Sequence, residues 1–168
     1  MREAPTGCLP PLHPKGHRMR IAIGSDHAGF ELKERVSAHL VGHGYDVADF
    51  GTHGPASVDY PDFARQVGES VAGGEADFGV LVCGSGLGME IAANKVAGVR
   101  AVQVMDAEMA KMSRLHNDAN VVTLAGRYLE PQCADGIVDT FLATAFEGGR
   151  HQLRIDKITE LERRGVTT

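Results

Sequence analysis

The most reactive combination in the chain is a cysteine followed at once by glycines at alternate positions, Cys83-Gly84-Ser85-Gly86-Leu87-Gly88. A thiolate is a base or a nucleophile, and a glycine turn that opens into a helix leaves backbone N–H groups free to hold an anion beside it. The positive end of the helix dipole favours the thiolate there. The same stretch also suits a purely structural strand-to-helix turn, because free cysteine is often a small buried hydrophobe. A dinucleotide fingerprint, G-x-G-x-x-G, needs its third glycine where Met89 stands. Asp106 lies about twenty residues further on, where such a fold would carry a ribose-binding acid, but an aspartate at a strand–helix junction is commonly an N-cap. Gly-Lys-Ser/Thr is absent, which excludes P-loop chemistry. The sequence displays no compact His/Asp/Glu metal cluster, and Cys8, Cys83 and Cys133 stand at no metal-ligand or disulfide spacing. What remains is a thiol, an N–H-rich loop, and a set of His, Asn and Arg residues: Asp26-His27, His116-Asn117 and Arg127.

The elements that must position these groups alternate in type. Ile21-Ala22-Ile23 reads as a strand running into Gly24-Ser-Asp-His-Ala-Gly29, and Leu32, Val36 and Leu40 recur at helical spacing. Asp46 to Phe50 is a second strand. A polar loop then leads to Tyr60-Pro61, the start of a helix with Phe63, Val67 and Val71 on its apolar face. The run through Val80, Leu81 and Val82 is the third strand, entering the glycine turn. Val99 to Val104 is the fourth, ending at Asp106, which caps a helix whose Met109, Met112 and Leu115 are expected to face the core. Val121 to Leu124 is the fifth, followed by the turn at Ala125-Gly126-Arg127. Pro131 opens a helix with Ala134, Ile137, Val138, Phe141 and Leu142 on one side. After Gly148 and Gly149, a charged last helix carries a narrow stripe, Ile155, Ile158 and Leu161, suited to a partner or to the domain edge. This pattern predicts an α/β fold, a Rossmann-like three-layer α/β/α sandwich with a five-stranded parallel sheet and an extended C-terminal helix. Ligands of such sheets bind beyond the carboxyl ends of the strands, and all the polar clusters named above are expected there.

Composition narrows the function classes. A length of 168 residues fits one domain, expected over 19–168; residues 1–18, with Pro5, Pro10, Pro11 and Pro14 and no periodicity, read as a disordered arm. His13 and His17 in that arm have no carboxylate close to them in the sequence, so a metal site there is not expected. Seventeen basic against 22 acidic residues give a net charge of −5, with the basic residues scattered, which argues against nucleic acid and against a polybasic membrane patch. No apolar run approaches the ~18 residues of a membrane span, and the odd cysteine count points to a reducing cytoplasm.

Gly24-Ser-Asp-His-Ala-Gly-Phe-Glu-Leu-Lys33, Asp59-Tyr-Pro61, Cys83-Gly-Ser-Gly86, Ile91-Ala-Ala-Asn-Lys95, His116-Asn-Asp118 and Gly149-Arg-His-Gln152 occur in the order in which the ribose-5-phosphate isomerase B family carries them. The chain resembles that family, which also includes galactose-6-phosphate isomerase subunits, from about Met19 to Leu161. The resemblance implies a cofactor-free, metal-free aldose–ketose isomerisation of a phosphorylated sugar through a cis-enediolate. It implies Cys83 as the base, His116 as the ring opener, Ser85 as an aid to proton movement between the sugar oxygens, and Asp26 and His27 as contacts of the first loop, Asp26 taking part in catalysis. Gly84, Gly86, Leu87 and Gly88 would hold the enediolate with Asn117. Tyr60 would line the pocket, and Arg127, Arg150 and Arg154 would bind phosphate. Some relatives use instead a glutamate at the position of Met89; Glu90 here is one residue later, about 100° around a helix, so Cys83 is the better base. Ribose 5-phosphate is the family default, with galactose 6-phosphate, allose 6-phosphate or a tetrose phosphate as alternatives, and a non-catalytic phosphate or nucleotide sensor on the same fold as a different class. The resemblance further implies a homodimer, or a dimer of dimers, with the site at the subunit interface.

Overall fold

A computed structural model describes residues 16–165. The arm expected to be disordered falls largely on residues 1–15, outside the described residues; His17, at its end, lies 3.1 Å from the Asp77 carboxylate, and Met19 is buried. The elements are β1 (Arg20–Ser25), α1 (Phe30–Gly42), β2 (Asp46–Asp49), α2 (Tyr60–Ala72), β3 (Phe78–Cys83), α3 (Leu87–Ala93), β4 (Ala101–Gln103), α4 (Ala107–Asn117), β5 (Val121–Ala125), α5 (Pro131–Ala143) and α6 (Arg150–Gly165). All strand pairs are parallel, in the order β2-β1-β3-β5-β4. The five-stranded three-layer sandwich expected from the alternating pattern is the fold. No helix among the described residues is long and apolar enough to cross a membrane.

Side chains alternate across each strand, so the sheet feeds two cores. Ile21, Ile23, Val80, Val82, Val122 and Leu124 pack against α1, α4 and α5; on the other face Ala22, Leu81, Cys83 and Val121 pack against α2 and α3. The apolar stripes of α1 and α5 are buried as their spacing predicts. Proline stands in the first turn of both α2 and α5, where its missing N–H is harmless.

Two expectations are corrected. The methionine stripe of α4 is not core: Met109 is 55% exposed, and the residues turned inward are Ala110, Ser113 and Arg114. Arg114 takes the place a methionine would fill because its guanidinium lies 4.7 Å from the Phe78 ring centre and pairs with Asp118 at 2.8 Å, so its charge is compensated inside the fold. β4 is also shorter than Val99 to Val104. The backbone N–H of Arg100 donates to Asn120 Oδ1, a side-chain amide in place of a ladder bond just before this strand, and on its outer edge the N–H of Ala101 donates to Asn94 Oδ1.

Candidate functional site

Strand order reverses between β1 and β3, the place where open α/β sheets form a ligand crevice at the carboxyl ends. Three connections meet there. The Asp26 N–H donates to the Val82 carbonyl at 3.2 Å, the Gly126 N–H to the Cys83 carbonyl at 2.8 Å, and the Arg127 N–H to the Gly84 carbonyl at 3.0 Å. The loops after β1, β3 and β5 are therefore tied backbone to backbone. Gly29 is required for this closeness, since a Cβ there would lie 2.5 Å from the Val82 backbone.

Cys83 is buried, and its Sγ accepts the Gly86 N–H at 3.1 Å. Gly86 adopts φ +80°, and its carbonyl accepts the buried Thr123 hydroxyl at 3.0 Å. The Leu87 N–H turns back to Ser85 Oγ at 3.4 Å. Tyr60, first residue of α2, lays its ring on Gly88: a Cβ on that glycine would come within 2.8 Å of the ring. The Arg127 guanidinium lies over Gly84, 3.2 Å from where a Cβ would stand. In the first loop Asp26 is buried, and one carboxylate oxygen accepts the N–H groups of Ala28 and Gly29, both at 3.0 Å, so it holds the turn. His27 Nδ1 accepts the Val58 N–H at 3.3 Å, tying the β1 loop to the one before α2. Asp26, His27, Tyr60, Cys83, Gly84, Ser85, Gly86, Leu87, Gly88 and Arg127 thus share one rim.

His116, Asn117, Arg150 and Arg154 do not share it, which corrects the placement of His116-Asn117 at the carboxyl ends. Asp106 caps α4 at the carboxyl rim, accepting the Met109 N–H at 2.7 Å. The helix then runs back beside the sheet for 11 residues, roughly 16 Å, and delivers His116 and Asn117 just before β5 begins. A residue at the end of a crossover helix belongs to the amino-end rim, however close its number is to a strand. There His116 stacks on His151 of α6, with ring centres 4.3 Å apart and planes inclined by 14°. Glu147 approaches both, at 3.7 Å from His116 Nε2 and 3.4 Å from His151 Nε2. His151 is buried and its pKa is lowered, first by desolvation and then by the charges of His116, Arg150 and Arg154, against the pull of Glu147. Arg150 and Arg154 stand exposed on the first turns of α6.

The family model described as Ribose/Galactose Isomerase matches residues 21–158, from β1 into α6. The chain belongs to this family. Ribose-5-phosphate isomerase B of Escherichia coli (strain K12) is 49% identical over 145 residues, which are 86% of this chain and 97% of that protein. The ribose-5-phosphate isomerase B structure from Clostridium thermocellum superposes with a TM-score of 0.87 at 52% identity, covering 88% of this chain and 99% of that one. The Mycoplasma genitalium ribose-5-phosphate isomerase B structure, solved with bound ribulose-5-phosphate, gives 0.84 at 44% identity, covering 88% and 99%.

In this ribose/galactose isomerase, sequence reasoning passed over the residues that brace the glycine loop. Thr123 and Gln103 support it from β5 and β4, Gln103 Nε2 reaching the Ser85 carbonyl at 3.5 Å. Their signal was weak, because one polar residue within an apolar strand has no period of its own. Lys33 is fully buried, 2.6 Å from Asp49 and 2.7 Å from Glu34. Its inward position is readable only from the helix phase, one residue after Leu32. Glu147 and His151 form the compact cluster with His116 that the sequence did not display, because 31 and 35 residues separate them from it in the chain.

Proposed function

We propose that the protein interconverts ribose 5-phosphate and ribulose 5-phosphate through a cis-enediolate, with Cys83 as the base. The observation that carries this reading is the Cys83 thiol held against the Gly86 N–H at the strand-order reversal, where the Asp26 and Arg127 loops converge. Isomerisation needs one base to take the proton from C2 and return it to C1, while negative charge develops on the neighbouring oxygens. Cys83 moves that proton. The amides of the Gly84–Gly88 loop and Asn117 hold the oxyanion, and the Ser85 hydroxyl passes a proton between O1 and O2. Asp26 fixes the first loop and faces the sugar with His27, Tyr60 lines the pocket, and Arg127, Arg150 and Arg154 take the phosphate, whose oxygens suit a guanidinium fork.

His116 opens the sugar ring in this scheme, Asn117 shares the oxyanion, and Arg150 and Arg154 complete the phosphate clamp, yet all four stand at the opposite end of the sheet from Cys83. A second copy supplies them. The reading supported is therefore a homodimer, alone or within a dimer of dimers, with each site composed of one subunit's carboxyl rim and the other's α4 and α6. Exposed apolar side chains beside the glycine loop, Leu87 and Ile91 of α3 with Met105 and Met109 at the start of α4, support a covering partner, as do Ile158 and Leu161 of α6. A cytoplasmic setting, with the pentose phosphates of central carbohydrate metabolism at hand, suits the free thiols of Cys83 and Cys133.

Ribose 5-phosphate incubated with the enzyme in deuterated water tests the reaction. Deuterium at C1 of the ribulose product and at C2 of recovered substrate, followed by NMR, is the expected result. Stoichiometric binding of the sugar phosphate without exchange overturns catalysis in favour of a phosphate sensor. Galactose 6-phosphate, allose 6-phosphate and tetrose phosphates present the same two carbons to the base, so kcat/KM across these aldoses settles the chain length preferred.

A further inference from the structure

The cluster His116, Glu147 and His151 has a second capacity. We propose that these three side chains form a binding site for one divalent zinc ion. The donor set, two imidazoles and one carboxylate, is one that zinc accepts, leaving a fourth tetrahedral position open. Metal–ligand distances near 2.0–2.1 Å put neighbouring ligand atoms of a tetrahedron roughly 3.3 Å apart. Glu147 Oε2 is already 3.4 Å from His151 Nε2 and 3.7 Å from His116 Nε2, and all three donor atoms lie within 4.8 Å of one another. Closing the site takes a turn of both rings, whose planes lie only 14° from parallel, so that their Nε2 lone pairs converge on one point.

The backbone holds the donors in place. The Glu147 N–H donates to the Leu115 carbonyl at 3.1 Å, pinning the segment before α6 to the residue preceding His116. Gly148 and Gly149, at φ +70° and +55°, then turn the chain so that the His151 N–H meets the Gly148 carbonyl at 3.0 Å. The independent observation is His151 itself: it is 4% exposed, and its buried Nε2 makes no hydrogen bond, the Glu147 carboxylate at 3.4 Å being misaligned for one. An orphaned buried nitrogen in a native structure calls for an explanation, and an ion at the site supplies one. Arg150 and Arg154 oppose a cation, so the open fourth position favours an anionic ligand such as hydroxide.

The proposal stands on the geometry of one chain and does not require that His116 open a sugar ring. Its test is zinc binding by equilibrium dialysis against a competing chelator, on the full chain carrying Cys133→Ser and Cys8→Ser to remove the thiol exposed on α5 and that of the N-terminal arm. One ion per chain is expected. Affinity should fall about tenfold or more in Glu147→Gln, whose exposed position leaves folding intact, and similarly in His151→Asn. Thermal unfolding read in parallel should show zinc raising the midpoint of the parent and not of Glu147→Gln. Binding that is undiminished in Glu147→Gln, or no binding by the folded parent at micromolar zinc, overturns the site. Isomerase assays are a separate readout: zinc bound with no loss of turnover counts against His116 as ring opener and leaves the metal site standing.

Discussion

Cys83 Sγ and the Gly86 backbone N–H form a hydrogen bond of 3.1 Å, so the thiol and the loop beside it are tied into one unit. The sulfur sits where β3 ends, and the donor is the residue just before α3. The isomerase reading therefore makes turnover, and not sugar binding, sensitive to the thiol. Cys83→Ala is expected to lower kcat by about a thousandfold, a typical share for a positioned base, while the sugar phosphate still protects the enzyme against thermal unfolding. Glu90→Gln should remain active. The opposite pair of results moves the base to α3.

Gly86 is needed for its conformation as well as for its small size. At φ +80° a side chain adds about 1–2 kcal/mol of backbone strain, and a Cβ would also stand 2.8 Å from Gln103 Cγ and 3.2 Å from the Leu124 carbonyl carbon. Gly86→Ala should lower the urea midpoint accordingly and reduce kcat with it, because the N–H facing Cys83 moves. Unchanged stability and kcat in this variant count against the loop as a preorganised cradle.

The Lys33–Asp49 pair is predicted to be a structural clamp on the β2–α2 loop. Lys33 is fully buried, and Asp49 also accepts the Gly51 N–H at 2.8 Å, where that loop departs. Asp49→Asn leaves a buried ammonium with only the half-exposed Glu34 opposite, and a loss of about 3 kcal/mol follows, at the lower end for breaking a buried pair. Denaturant unfolding measures it. A change below about 1 kcal/mol would place the pair among ordinary surface ion pairs.

The separation of Cys83 from His116 gives the proposed composite site its own test. Cys83→Ala and His116→Ala should each be poor enzymes. When the two are unfolded together and refolded as mixed dimers, about a quarter of wild-type activity should return, since half the dimers are mixed and one of their two sites carries neither lesion. If both residues served from the same chain, every site in a mixed dimer would keep one lesion. Mixed dimers isolated by a tag and found inactive sink the shared site.

Much of this was legible in the chain before folding. Leu32, Val36 and Leu40, or Ile137, Val138 and Phe141, fix helix faces by period, and Val80-Leu81-Val82 ending at Cys83 fixes a buried strand and what stands at its end. Periodicity says which face is apolar but not how far an apolar residue reaches, so Met109, expected to face the core, stands exposed, while Arg114, which the apolar pattern does not mark, is buried. Position along the chain is a poor guide to position along the strand axis. His116 follows β4 and precedes β5 as Asp106 does, yet the intervening helix carries it the depth of the sheet. Clusters drawn from two helices, such as His116 with Glu147 and His151, leave no local spacing to read.

Asn94 holds both the N–H and the carbonyl of Ala101, at 2.8 and 2.9 Å, at the outer margin of β4. An unpaired sheet margin is a template for another chain's strand, and here a side-chain amide already fills the template. Joining two copies into one continuous sheet across β4 would first have to displace that amide. The proposed dimer is therefore expected to form through side chains, with the relative orientation of its subunits left to the shape and charge of helices and rims.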